Sequence, residues 1–263
     1  MQSTNPVPAV APAPATKPPL TGVIDLIKQS WAMYQTRLWA MAGIGFIFYV
    51  ISLLIMFALA ATALANVGFF LFNASQDYKV TDWFDGFSAV TGLLFVVLML
   101  VSLLISAYQQ SALIRLASED DKNIVSVLKK ALGRVPALFW ATFIAGLLII
   151  LGLILFLIPG VILAVMFAFV GYVVVLEGVS GSQALSRSRA LVRGRWWPVF
   201  WRGLGFFLLI IIPAGIAGSI VSSIIGDGNN TVSNLLTALF VTPFGLVYGY
   251  NLYRNLKATS GAA

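Results

Sequence analysis

The acidic side chains are the main candidates for chemistry in this 263-residue chain, because it contains no histidine and no cysteine. It therefore lacks the commonest general base and metal ligand, and it lacks thiolate nucleophiles. Asp82 and Asp85 stand one helical turn apart in an acidic stretch with Asp77. Their carboxylates are either ligands for a divalent cation or, as we favour, solvated charges of a loop. Nucleotide-binding and hydrolase motifs are absent, so we expect no enzymatic activity, no cofactor and no metal site.

Glu177 is the acidic residue whose position is most informative. It ends a long apolar run and precedes a basic segment that contains Arg187 and Arg189. A carboxylate at membrane depth is costly unless it is paired or solvated. We therefore predict an interfacial ion pair between Glu177 and Arg187. A proton-coupled or substrate-binding role and simple solvent exposure are the alternatives.

The composition shows what kind of framework holds these residues. Hydrophobic residues make up 60% of the chain and charged residues only 10%, against about 25% charged in soluble domains. A membrane helix needs about 20 apolar residues, and the chain has enough long uncharged runs for six. We predict an all-α integral membrane six-helix bundle, with spans at about 38–65, 88–114, 137–158, 160–176, 198–224 and 233–254.

Pro159 and Gly160 are the one interruption in a 42-residue uncharged run at 135–176. Proline removes a helix donor, and glycine permits a tight reversal. As one helix the run would extend about 63 Å, twice the hydrocarbon thickness of about 30 Å. We therefore predict a structural hairpin whose turn is formed by Pro159 and Gly160.

The basic residues indicate the orientation of the bundle. If the amino terminus is inside, six crossings place the carboxyl terminus inside, and every Lys and Arg except Lys79 then lies inside. The positive-inside rule therefore favours cytoplasmic termini. The domain at 20–257 is preceded by a Pro/Ala-rich tail at 1–19, which we expect to be disordered, and is followed by a flexible tail at 258–263.

A threefold pattern runs through the inside segments. Short amphipathic segments, each predicted as an interfacial helix, precede the first, third and fifth spans. Each contains a residue nine positions before a tryptophan, in the pairs Ser30 and Trp39, Ala131 and Trp140, and Ser188 and Trp197. We predict an internal repeat of one interfacial helix and two spans.

The interfacial helices carry clusters of positive charge. We predict that Arg189 and Arg193 of the third helix, and Lys129 and Lys130 of the second, contact lipid headgroups. Each basic residue near an anionic leaflet contributes on the order of 1 kcal/mol of attraction. Simple anchoring of the topology is the alternative.

Residues 156–198 carry the clearest resemblance to a known family. Pro159-Gly160, then Glu177-Gly178, then the run Ala184-Leu185-x-x-Ser188 resemble the pattern of the membrane-domain family named after glycerophosphoryl diester phosphodiesterase. This resemblance implies a prokaryotic polytopic membrane protein. It does not imply the phosphodiesterase activity, which in that family belongs to a separate histidine-containing barrel.

These observations predict a non-enzymatic membrane scaffold or envelope-associated component of the prokaryotic inner membrane. Its expected partners are membrane lipids, with anionic lipids as candidates, and a protein partner or a second copy of the chain is a further candidate; nucleic acid is not expected. A transporter or flippase-like protein for a lipidic or neutral solute is the alternative. A cluster of polar groups facing one cavity within the membrane would favour that alternative.

Overall fold

The computed structural model describes residues 20–74, 89–119, 123–226 and 231–259, and these ranges contain eight helices and no strand. Six are long and apolar enough to cross a membrane, which confirms the predicted all-α bundle. In chain order the helices are α1 (Val23–Ala74), α2 (Ala89–Ser118), α3 (Ile124–Leu132), α4 (Val135–Leu155), α5 (Leu157–Glu177), α6 (Gly181–Val192), α7 (Trp196–Ile225) and α8 (Thr231–Thr259).

Some of the predictions concern residues outside these ranges. They are the Pro/Ala-rich tail at 1–19, the acidic stretch with Asp77, Asp82 and Asp85, and the chain beyond residue 259. The same holds for Lys79, whose position outside the membrane stays a prediction.

The first predicted interfacial helix is not a separate element. It is the beginning of α1, which runs without a break for 52 residues. The stretch from Val23 to Ala42 contains neither proline nor glycine, so nothing in it ends the helix. At 1.5 Å per residue α1 is about 78 Å long, far more than the hydrocarbon thickness of about 30 Å. The helix therefore extends beyond the membrane core.

The hairpin between the third and fourth spans is present, but the predicted position of its turn is wrong. The reversal occurs at Phe156, whose backbone is extended (φ −162°, ψ 148°), and Pro159 and Gly160 lie in the first turn of α5. Proline is tolerated there because the first amide groups of a helix have no partner within it. Gly160 instead allows close packing: a Cβ atom added to it would lie 2.8 Å from the backbone nitrogen of Leu153 on α4.

The membrane helices form three successive hairpins, α1 with α2, α4 with α5, and α7 with α8. Helix α8 also packs against α1 and α2, and α4 packs against α2. The short helices α3 and α6 lie at the ends of α2, α4 and α5. This arrangement places the starts of α1, α4 and α7 and the ends of α2, α5 and α8 on one face, which we call the basic face.

The buried core lies in the half of the bundle next to the basic face. Core residues such as Tyr34, Leu113 and Leu138 are almost fully buried. Apolar side chains farther along the same helices, such as Phe57 and Ile154, are exposed. A large exposed apolar surface on a helical bundle of this length is typical of contact with lipid chains.

Candidate functional site: the basic face

Both ends of the described chain meet at the basic face. The Nε of Arg202, near the start of α7, donates to the carbonyl oxygen of Thr21 over 2.7 Å. The amide of Asn255, near the end of α8, hydrogen-bonds the hydroxyl of the same Thr21. The start of α1 and the end of α8 therefore lie on one side of the bundle, as an even number of crossings requires.

A cluster around Glu177 connects three elements at this face. Oε2 of Glu177, at the end of α5, lies 3.0 Å from Nε of Arg187 on α6. Its Oε1 lies 3.1 Å from Nζ of Lys257 and accepts a hydrogen bond of 2.6 Å from the hydroxyl of Tyr253, both on α8. The Glu177 side chain is only 11% exposed. The structure thus brings Glu177 and Arg187 together, as the sequence predicts, and adds Lys257 and Tyr253, which no sequence pattern indicated.

Both carboxylate oxygens of Glu177 are occupied by donors from the protein. Removing this group from water is compensated by two cations and a hydroxyl. A general base or a metal ligand needs an oxygen open to its substrate or ion, whereas this arrangement ties α5, α6 and α8 together. Within the described ranges, no group of three acidic residues is placed to hold a metal ion.

Helix α6 has two distinct faces. Ala184, Leu185, Ser188, Leu191 and Val192 are buried in the bundle, and the Ser188 hydroxyl donates to the carbonyl oxygen of Met166 over 2.7 Å.

The opposite face of α6 carries Arg189, and Arg193 follows the last residue of the helix; both side chains are exposed. Arg187 lies between the two faces and is partly buried against Glu177. Arg189 and Arg193 thus lie at the surface of the basic face, where headgroups of a bilayer would lie.

Helix α3 places its two lysines differently. Lys129 and Lys130 are both exposed, but Nζ of Lys130 lies 2.9 Å from Oε2 of Glu119. Arg115 pairs with the other oxygen of the same carboxylate over 2.8 Å. Lys130 is therefore an ion-pair partner of Glu119, whereas its sequence position predicted only a contact with lipid headgroups.

The pKa of the Glu119 carboxyl group depends on its burial and on the two neighbouring cations, Lys130 and Arg115. Partial burial by itself would raise the pKa of its carboxyl group. The hydrogen bonds and positive charges of Lys130 and Arg115 together outweigh burial, and the pKa of Glu119 falls below its ordinary value of 4.5.

Arg134 caps the end of α5. It is the residue that precedes α4, and its Nη1 donates to the carbonyl oxygen of Gly178 over 3.1 Å. Gly178 has a left-handed backbone with φ of 75°, which ends the helix. A Cβ atom there would lie 2.9 Å from Nη2 of Arg134, so glycine is required both for the turn and for the approach of the guanidinium.

Two further arginines donate hydrogen bonds to carbonyl groups at the helix ends of the other two hairpins. Arg37 of α1 donates to the carbonyl oxygen of Leu116 in the last turn of α2. Arg195, just before α7, donates from Nη2 to the carbonyl oxygen of Thr259 at the end of α8 over 3.0 Å. In each hairpin a cation of the first helix thus satisfies carbonyl groups that have no partner at the end of the second helix. From the sequence alone, these arginines are recognisable only as topology signals.

The threefold alignment matches burial in the structure. The three residues aligned by sequence are fully buried, and the three tryptophans nine positions later are exposed. They are Ser30, Ala131 and Ser188, followed by Trp39, Trp140 and Trp197. The shared register agrees with a repeated unit, although the first unit has no separate short helix.

A cavity of about 610 Å³ lies between α2, α4 and α8. Its wall is mostly apolar but includes the side chains of Gln109 and Gln110 on α2, Thr142 on α4 and Thr242 on α8. Polar groups thus face one cavity within the membrane-spanning part of the bundle.

The fold and the basic face define a polytopic α-helical membrane protein whose short helices and helix-capping arginines lie on one side. The chain belongs to the family described as a domain of unknown function (DUF7847), whose model matches residues 124–256, just over half of its length. The match begins at the first residue of α3 and covers α3 to α8 almost completely. No curated protein and no solved structure gives a significant match. The resemblance to the family named after the phosphodiesterase therefore stays a prediction.

Proposed function

We propose that the protein is a non-enzymatic component of the prokaryotic inner membrane that engages anionic lipid headgroups through its basic face. The observation that carries the proposal is the exposure of Arg189 on α6 and of Arg193 directly after its last residue, while the opposite face of α6 is buried in the bundle. Two such charges contribute on the order of 2 kcal/mol of attraction to an anionic leaflet. In this role the protein is a scaffold or envelope-associated element that recruits or organises lipid.

Two observations support a role without catalysis. The chain has no histidine and no cysteine, and both oxygens of the largely buried Glu177 carboxylate are held by protein donors. Chemistry on a lipid would require a free base, a nucleophile or a metal ligand set. We therefore assign a structural role to Glu177 and lipid binding to the exposed arginines.

The test is a pair of matched double variants of the full chain. Arg189→Glu with Arg193→Glu reverses both charges, whereas Arg189→Lys with Arg193→Lys keeps them. After reconstitution in vesicles of phosphatidylglycerol and phosphatidylcholine and re-extraction, native mass spectrometry counts the bound lipids. We expect the Glu variant to retain much less phosphatidylglycerol and the Lys variant to match the parent.

Equal lipid retention by the Glu variant would overturn the proposal, and if self-association and co-purifying proteins are also unchanged, the arginines are topology signals only. If the Glu variant retains lipid as the parent does but loses self-association or a co-purifying acidic protein, the basic face binds a second copy or a protein partner instead.

The alternative, a transporter or flippase-like protein for a lipidic or neutral solute, is favoured by the cavity between α2, α4 and α8. A transport function requires movement across both leaflets. Its test is the transfer of a fluorescent phospholipid between the leaflets of vesicles that contain the protein. Transfer no faster than in protein-free vesicles would exclude transport of phospholipid.

A further inference from the structure

The cavity between α2, α4 and α8 opens toward the lipid. Leu103, Leu147 and Ile150 at its wall are each between about one third and one half exposed on the outer surface of the bundle. Its volume of about 610 Å³ is within the range of about 300–1,000 Å³ that is usual for small-molecule sites. A bilayer lipid can therefore enter it sideways without crossing the protein.

Among the described residues, three polar side chains of this wall make no hydrogen bond to the protein: the hydroxyl of Thr242 and the amides of Gln109 and Gln110. The Thr142 hydroxyl donates to the carbonyl oxygen of Leu138 over 2.7 Å, within its own helix. Within the part of the chain that the structure describes, the side-chain amides of Gln109 and Gln110 make no hydrogen bond to the protein. An unsatisfied amide is costly in a membrane-spanning segment, so these two amides are well placed to receive a ligand.

The position of Gln110 is supported by a small residue on the neighbouring helix. A Cβ atom added to Gly171 of α5 would lie 3.2 Å from Nε2 of Gln110. Gly171 therefore leaves just enough room for the amide at the cavity wall. A larger residue there would displace it.

The chemistry of the wall indicates the kind of head group that fits. A glutamine amide both donates and accepts hydrogen bonds, which matches a hydroxyl group. No residue of the wall is charged, so a charged head group would lie in an apolar environment without a counter-ion, at a high cost. The remaining wall is apolar and suits an acyl chain.

The depth of the glutamines matches a lipid in the leaflet at the basic face. Gln110 lies eight residues before the end of α2 at that face, which is about 12 Å at 1.5 Å per residue. Ile150 lies 15 residues beyond the start of α4, or about 22 Å. A head group at the glutamines thus leaves an acyl chain directed along α4 toward the bilayer centre.

We propose that this cavity binds a neutral, hydroxyl-bearing acylglycerol lipid, with the hydroxyl groups at Gln109 and Gln110 and the chain along α4. This site is separate from the exposed arginines of α6. Its existence does not depend on binding of anionic headgroups at the basic face.

The test uses a photoactivatable monoacylglycerol in phosphatidylcholine vesicles that contain the full chain. We expect cross-links on α2 and α4 that unlabelled monoacylglycerol removes by competition. Gly146→Phe should lower this labelling by more than about tenfold, because Gly146 lines the cavity and a Cβ atom there meets nothing within 4 Å. Gly43→Phe is the matched control, since Gly43 of α1 is equally open and lies outside the cavity; it should label as the parent does.

A second pair of measurements tests the contribution of the two glutamines to lipid binding. Gln109→Leu with Gln110→Leu should weaken monoacylglycerol labelling roughly fivefold or more, while labelling by a photoactivatable alkane stays unchanged. This variant decides the question if Gly146→Phe fails to fold. The proposal is overturned if the glutamine variant labels with monoacylglycerol as the parent does, or if Gly146→Phe folds and labels like Gly43→Phe. The charge-reversed α6 variant should label normally, which separates this site from the proposed function.

Discussion

Lys130 and Arg187 hold equivalent positions in two of the short segments that the sequence aligns. Each lies one residue before the aligned, fully buried residue of its short helix. Lys130 is 2.9 Å from a carboxylate oxygen of Glu119 just after the end of α2, and Arg187 is 3.0 Å from one of Glu177 at the end of α5. The same ion pair thus fastens a short helix to the preceding membrane helix twice.

The two pairs should differ in their contribution to stability. Glu177 is 11% exposed and Glu119 is 26% exposed. We expect Arg187→Ala to lower the free energy of unfolding by about 1–3 kcal/mol, because it leaves a buried carboxylate less well satisfied. Lys130→Ala should cost about 0–1 kcal/mol, as for exposed ion pairs. Thermal unfolding of both variants in detergent measures the difference, and a larger loss for Lys130→Ala would contradict it.

Glu119 should make the stability of the protein depend on pH. Its pKa is lowered in the folded state, so its ion pairs stabilise the fold above the ordinary pKa of 4.5. That contribution is lost as the pH falls through the lower, folded-state pKa. The melting temperature of the parent should therefore fall more steeply over this acidic range than that of Glu119→Gln. Parallel curves for the two proteins would show that the pairs with Lys130 and Arg115 contribute nothing.

The membrane spans could be predicted because each is a long uncharged run, and the membrane demands such runs whatever the tertiary packing. The turn at Phe156 could not, since proline and glycine are compatible both with a turn and with the first turn of a helix. In the structure Pro159 and Gly160 lie in the first turn of α5, and Gly160 allows α4 to pack closely against it.

The candidate site could be predicted only where its partners are near in sequence. Glu177 and Arg187 are 10 residues apart, and the order of apolar and basic segments indicates their meeting. Tyr253 is 76 residues from Glu177, and its contact depends on how α8 packs against the other helices. The arginine caps are similar: Arg37 and its acceptor Leu116 are separated by 79 residues. The sequence shows that a positive charge lies near the end of a span, but it does not show which carbonyl group accepts its hydrogen bond.

The arginine caps should be measurable as stabilising contacts. Arg134→Ala removes the hydrogen bond to the carbonyl oxygen of Gly178, and we expect a loss of about 1.5–3 kcal/mol, as for hydrogen bonds to charged groups. Arg189→Ala is the control, because Arg189 is exposed on α6; it should change stability by less than about 0.5 kcal/mol. Unfolding in increasing denaturant compares the two, and equal effects would contradict a capping role.

The proposed orientation can be tested with reporter fusions. The structure places the start of α1 and the end of α8 on one face, and the described basic residues cluster there. We expect a reporter after Ser260 to give a cytoplasmic signal and one after Gln76 an external signal, following the positive-inside rule. An external signal at Ser260 would reverse the proposed orientation and would also remove the basic face from the cytoplasmic leaflet.

The close approach of α4 and α5 predicts different consequences for two glycines. At Gly160 a Cβ atom would lie 2.8 Å from the backbone nitrogen of Leu153, and the backbones of Gly152 and Gly160 are themselves adjacent. Gly160→Ala should therefore cost about 1–3 kcal/mol, because the two helices must separate. At Gly146 of α4 a Cβ atom meets nothing within 4 Å, so Gly146→Ala should leave the melting temperature nearly unchanged. If both variants melt as the parent does, glycine at position 160 is not needed for the hairpin.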